Sequence, residues 1–150
     1  MIAVIQRVYN AEVSADGMKE SIGAGLLLFL GVAKTDQEKD ADILAEKICQ
    51  LRIFEDENNK MNLQMSEVSG ELMVISNFTL CADCSHGRRP NFEKAERPDR
   101  ARYLYEYFIS MCERILNNKV KTGIFGADMK VNITNDGPVT IVLDSEKLKG

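Results

Sequence analysis

Two short segments hold the residue types that could do chemistry. Ser76-Asn77-Phe78-Thr79-Leu80 sets two hydroxyls on either side of an aromatic ring. Pattern alone also fits strand residues that alternate between core and solvent. Asn135-Asp136-Gly137-Pro138-Val139-Thr140 lies between two apolar alternating stretches. Its first residues are turn formers, so a hairpin turn is the ordinary reading. Pro directly after Gly and directly before a strand is unusual. Pro lowers the cost of a cis peptide, and Gly lets a second backbone approach closely. Such a step could offer main-chain carbonyls as a rigid rim for a small ligand.

Around these lie two supporting features. Thr122-Gly123-Ile124-Phe125-Gly126-Ala127-Asp128-Met129 brackets Phe125 and Met129 with small residues. That suits a flat apolar slot for a base, and suits core packing equally. Arg88, Arg89, Lys94, Arg97, Arg100 and Arg102 form a basic cluster diluted by Glu93, Glu96 and Asp99. It is either a solvated loop or a phosphate-steering patch.

Other chemistry is missing or incomplete. His86 is the single histidine, so a Ser-His-Asp triad would have to use it. There is no G-x-S-x-G, G-x-G-x-x-G, P-loop or H-E-x-x-H sequence. Cys81 and Cys84, with His86 beyond them, resemble half a zinc site. No second C-x-x-C follows, and Cys49 and Cys112 fall on apolar faces of predicted helices. Free thiols at a strand end are the plainer reading. A redox C-x-x-C should open a helix, where the thiol pKa is depressed, and this one ends a strand. No metal and no cofactor are expected.

The positioning elements follow from periodicity. Ile2 to Ala15 and Met18 to Ile22 read as strands joined at Asp16-Gly17. Leu26 to Ala33 reads as a strand buried on both faces. A helix is predicted over Gln37 to Leu51, capped by Thr35 or Asp36. Arg52 to Phe54 is a short predicted strand, and Glu71 to Cys81 a strong one. Cys84 to Pro98 is irregular. A second helix is predicted over Asp99 to Asn117. Met129 to Thr134 and Val139 to Leu143 are predicted as two further strands. Strands outnumber helices, and the two helices look like separate insertions. The expectation is α+β, a mainly antiparallel sheet or half-barrel with two main helices.

The chain has 150 residues, enough for one domain spanning residues 1–150. A net charge of −4 argues against broad nucleic-acid binding, though not against a local patch. There is no long apolar run and no signal-peptide pattern at the start. The expectation is a cytoplasmic protein with reduced cysteines and no membrane contact.

Taken in order, the pieces resemble one family. They are Gln6-Arg7-Val8, Ile22 to Leu26, Lys47 to Phe54, Lys60-Met61-Asn62, Ser76 to Leu80, Gly87 to Pro90, Thr122-Gly123, Phe125 to Met129 and Asn135 to Thr140. Each is weak alone, but their joint order resembles the D-aminoacyl-tRNA deacylases over essentially the full length. The resemblance implies a homodimer that acts on the 3′ end of aminoacyl-tRNA, with no further protein partner. It implies hydrolysis of the ester between a D-amino acid and the terminal adenosine, and of glycyl-tRNA mischarged on tRNA-Ala, as chiral proofreading in translation. Ser76, Phe78 and Thr79 would act mainly through backbone N–H groups, with the ribose 2′-hydroxyl helping to activate water. Thr79 is the rival nucleophile. Gly137 and Pro138, in cis, would cross to the partner subunit's site as chiral selector. Phe125 and Met129 would hold adenosine. The family's usual segment reads Ser-Gln-Phe-Thr-Leu; here Asn77 replaces the Gln, and the resemblance implies that it binds substrate together with Gly137 and Pro138. Two rival readings stand beside this one: a non-catalytic nucleic-acid-binding module, or a small zinc or thiol protein built on Cys81 and Cys84.

Overall fold

The computed structural model describes residues 1–150. Strand β1 (Ile2–Ala15) turns at Asp16-Gly17 into β2 (Met18–Ile22) and β3 (Gly25–Gly31). Pairing with β1 keeps one register from Ala15↔Met18 through Val8↔Gly25 to Ile2↔Gly31. β2 and β3 therefore act as one long strand along one edge of β1. A Cβ on Gly25 would meet the Glu71 carbonyl oxygen at 1.9 Å, so only glycine lets β3 lie against its next neighbour there.

That neighbour is β6 (Glu71–Ser76), which runs parallel to β3, and β7 (Lys121–Thr122) runs parallel to β6. Parallel neighbours need long crossovers. The first contains α1 (Glu38–Cys49) and the small hairpin β4 (Phe54–Glu55) and β5 (Met61–Leu63); the second contains α2 (Pro98–Leu116). The helices are thus crossovers, not separate insertions, and the sheet is mixed. A third, short helix, α3 (Ser145–Leu148), ends the chain. No helix is long and apolar enough to cross a membrane.

The last strand corrects a second expectation. Instead of two strands about a hairpin turn, β8 (Lys130–Asp144) is one strand. Both of its halves pair antiparallel with the free edge of β1, Lys130–Asn135 with Ser14–Val8 and Thr140–Asp144 with Gln6–Ile2. The register slips opposite Arg7, and the intervening residues bulge out. Turn formers need not reverse the chain when a bulge can absorb them.

Burial follows the two faces of the sheet. Leu26, Leu28, Leu30, Leu72 and Val74 join Ala41, Leu44, Ala45 and Ile48 of α1 and Leu104, Phe108 and Cys112 of α2 in a cluster of 23 buried residues. The 3.6-residue spacing of those helical positions is what puts them on one stripe. Leu27, Met73 and Ile75 face the other way, with Val8, Ala11, Val13 and Ile22, under Met129, Val131 and Ile133. Strands β3 and β6 are buried on both faces, as expected of parallel neighbours.

Helix α1 starts at a different cap from the one expected. Gln37 is its N-cap, and the Gln37 N–H donates to Asp40 Oδ2 at 2.9 Å. Asp36 is drawn inward: its carboxylate accepts from the Met1 amino group and from the Ala33 N–H. The same amino group donates to Ser145 Oγ at 2.7 Å, and Ser145 donates onward to Asp40 Oδ1 at 2.7 Å. Lys149 Nζ closes the knot 2.9 Å from Asp40. Burial opposes ionisation of Asp40, but the hydrogen bonds from Ser145 and Lys149 outweigh it and lower its pKa from 3.8 to about 2. Its ionised form therefore stabilises the fold above the ordinary carboxylate range, and that stability is lost as pH falls from 3.8 towards 2. We expect Asp40→Asn to be clearly destabilised at pH 7 in urea unfolding. The gap from the parent should close as the pH is lowered through that window.

Candidate active site

Strands β3 and β6 end side by side, at Leu30 and Ser76. The Asn77 N–H makes the last ladder bond, to the Leu30 carbonyl at 2.8 Å. The chain then leaves the sheet in a 3₁₀ turn, Phe78–Cys81. A strand through Cys81 was expected, and it stops at Ser76 for a local reason. The Asn77 Oδ1 accepts from the Thr79 N–H at 3.2 Å and from the Thr79 hydroxyl, so the side chain caps a turn in place of the ladder. Phe78, 58% exposed, and Thr79 are left facing open space.

That space is a cavity of about 860 Å³, well within the range of small-ligand sites. Ser76, Asn77, Phe78 and Thr79 form one side, and Phe125 and Met129 another. The structure therefore brings six of the expected site residues into one hollow. It lies at the carboxyl ends of parallel strands, where open α/β sheets also place their ligands.

Its remaining wall comes from the segment that periodicity left as irregular. Backbone bonds from Lys34 N–H to the Lys94 carbonyl (3.0 Å) and from Glu96 N–H to the Val32 carbonyl (2.9 Å) dock that segment beside the end of β3. Phe92 then meets Phe78 edge to face, with centroids 5.2 Å apart. Lys34 and Arg97 supply the cations of the cavity and Glu96 an anion. Tyr105 closes the back, its hydroxyl donating to the Val74 carbonyl at 2.8 Å, and burial raises its pKa. Phe92, Lys34 and Tyr105 were not anticipated. The only signal for Phe92 was an aromatic residue in an otherwise polar loop.

The basic cluster disperses. Arg100 pairs with Glu96 and donates to the Asp36 carbonyl, and Lys94 pairs with Asp83. Arg88 and Arg89 are exposed. His86 lies beside Ser85, with Nδ1 2.8 Å from its Oγ, yet Asp83 accepts from the serine and not from the imidazole. Ser85 and His86 are exposed, Asp83 is half-buried, and none of the three lines the cavity, so they form no triad there. Cys81 is buried and Cys84 exposed, while Cys49 and Cys112 are buried in α1 and α2.

Gly137 and Pro138 stand apart from their own chain's cavity. They are exposed, joined by a cis peptide, and held by Arg7. The Arg7 side chain is 4% exposed. It donates to the Ile53 carbonyl at 2.7 Å and ion-pairs with Asp136 at 3.2 Å and Glu55 at 3.7 Å. An arginine at an inward position of an apolar strand was legible as a demand for partners. Gly137 itself has φ +126°, and a Cβ there would sit 2.8 Å from the Val139 nitrogen.

The matches to known proteins define a deacylase class. Residues 4–144 match the family described as D-Tyr-tRNA(Tyr) deacylase, and the chain belongs to that family. A protein of Cytophaga hutchinsonii called D-aminoacyl-tRNA deacylase is 58% identical over 147 residues, covering 97% of this chain and 98% of that one. One of Thermosipho africanus with the same name is 52% identical, covering 99% of each chain. Among solved structures, a "c-Myc DNA Unwinding Element Binding Protein" superposes with a TM-score of 0.90 at 36% identity, covering 96% of this chain and 98% of that one. A "probable eukaryotic D-amino acid tRNA deacylase" superposes with a TM-score of 0.83 at 12% identity over 95% of this chain and 97% of its own, a likeness of fold.

Asn77→Ala removes the cap of the 3₁₀ turn. We expect a stability loss of about 1 kcal/mol in thermal or urea unfolding. Phe78 should lose part of its order, visible as weaker protection of the turn amides in hydrogen exchange.

Proposed function

We infer that this chain is a D-aminoacyl-tRNA deacylase, which hydrolyses the ester between a D-amino acid and the terminal adenosine of tRNA. The observation that carries it is the cavity of a chain in this family, with the Ser76–Thr79 turn on one side and Phe125 and Met129 on the other. Adenosine stands against Phe125 and Met129, and the ester carbonyl lies at the turn. The Thr79 N–H is already held by Asn77. The first residue of a helical turn has no partner for its N–H within the turn, so Phe78 is the donor for the oxyanion. The Thr79 hydroxyl points to an amide oxygen, which is no base, so Thr79 lacks the activation that a nucleophile needs. Water is then the nucleophile, assisted by the ribose 2′-hydroxyl.

The protein works as a homodimer in the cytoplasm. Gly137 and Pro138, exposed and braced by Arg7, enter the cavity of a second copy. Their carbonyls take the α-amino group of the substrate. An L-side chain is turned into that backbone wall, a D-side chain away from it, and glycine, with no side chain, passes. Selectivity by a rigid wall needs little attraction.

Nucleic-acid binding without turnover is the second reading, favoured by the printed name of the structural relative at 36% identity. It is opposed by the charge of −4. A deacylation assay separates the two. D-Tyr-tRNA and Gly-tRNA should be cleaved and L-Tyr-tRNA spared. Binding of all three with no cleavage would remove the enzymatic reading.

Two variants probe the roles. Gly137→Ala forces a side chain into a positive-φ position against Val139. We expect a loss of at least about 100-fold in kcat/KM. Thr79→Ala should keep most of the hydrolysis, and abolished single-turnover cleavage would restore Thr79 as nucleophile.

A further inference from the structure

A second hollow, of about 480 Å³, adjoins the cavity. Tyr105 and Phe125 line both spaces. On the far side, the Arg102 guanidinium carbon sits 5.3 Å from the centre of the Phe125 ring. Arg102 and Glu106 are one helical turn apart on α2, both exposed, and both face the hollow. Neither takes part in an ion pair, whereas Glu113 and Lys119, also on its wall, are 3.5 Å from each other. Two cations and two anions balance, so nothing here selects a bare phosphate. What remains free of ion pairing is a donor group, stacked over Phe125, and an acceptor group one turn along the helix.

We propose that this hollow receives the base of the penultimate nucleotide of the tRNA 3′ end, a cytosine. The inference rests on the terminal adenosine standing against Phe125 and Met129. The neighbouring nucleotide is then one step along a single strand. Stacked neighbours rise about 3.4 Å. Phe125 lines both spaces, so the two bases would lie on either side of it. The Arg102 guanidinium already covers this side of the Phe125 ring, so the base is held at its edge by the polar pair. Cytosine's edge matches the polar pair. Its N4 amino group donates to the Glu106 carboxylate, a pairing of the usual kind for this base. Its N3 and O2 accept from Arg102. Uracil would turn a carbonyl towards the same carboxylate and be repelled. The penultimate base is thereby read together with the adenosine, and the ester is registered over the Ser76–Thr79 turn.

The test uses D-tyrosyl esters of adenosine, of CpA and of UpA, with kcat/KM as the readout. The CpA ester should be cleaved roughly ten-fold faster than the UpA ester, the scale of one base-specific contact. Glu106→Gln replaces the carboxylate by an amide that can donate to uracil O4 and accept from cytosine N4. The C-over-U ratio should fall to near unity, with the thermal midpoint unchanged because Glu106 is exposed. Equal rates for CpA and UpA in the parent, or an undiminished ratio in Glu106→Gln, would overturn the proposal. Cleavage of the adenosine ester without base preference sinks this inference alone. No cleavage of any of the three esters sinks the reading of the cavity and this inference with it.

Discussion

Strand β1 is hydrogen-bonded along both edges, and the irregularity at Arg7 sets the rest of the geometry. On one edge it holds β2 and β3 in a single register; on the other it holds both halves of β8. The guanidinium of Arg7 is buried where the β8 register slips. A buried cation must find partners, and Asp136, Glu55 and the Ile53 carbonyl are those within reach. The bulge that carries Gly137 and Pro138 is thus pinned to the most securely paired strand of the sheet and to the β4 hairpin behind it. The Gly137-Pro138 step borrows its rigidity from that satisfied charge.

The cavity depends on a different consequence of the same sheet. Because β3 already pairs with β1 on one edge, β6 must join on the other, and it joins in parallel. Parallel entry demands the two helical crossovers, and both pack on the face of the sheet that carries the larger core. It also places the ends of β3 and β6 together, so the chain emerges at Asn77 next to the start of the second crossover. The turn, the docked loop carrying Phe92 and the first turns of α2 are therefore neighbours by topology. The polar chemistry there is sparse. A capped turn, an N–H donor and an aromatic wall suit a labile ester, whose hydrolysis asks for orientation and oxyanion support more than for a strong base.

The aromatic wall and the glycine-proline step fall on separate parts of the chain. The aromatic layer of Tyr105 and Phe125 belongs to α2 and to the segment after β7, and its two faces open on two spaces. The glycine-proline step belongs to β8 and does not line its own chain's cavity.

Much of this was legible in the residues. Alternation marked β1 and β2, the Asp16-Gly17 turn set their register, and 3.6-residue spacing marked the buried stripes of α1 and α2. The joint order of short motifs named the family and picked out Ser76 to Thr79, Phe125 and Met129. Other features had no local signal. Whether Asn135 to Pro138 reverses the chain or bulges depends on β1 offering an edge on both sides of it, a partner far away in sequence. The end of β6 at Ser76 depends on Asn77 turning its side chain back on the Thr79 N–H, a competition that periodicity cannot see. The parallel pairing that made the helices into crossovers is a matter of which edge was free. Sequence by itself determined which residues are apolar, which are capable of chemistry and which kin they have. Tertiary structure decided who faces whom, because hydrogen-bonded edges and buried charges are satisfied only by partners that the whole fold brings near.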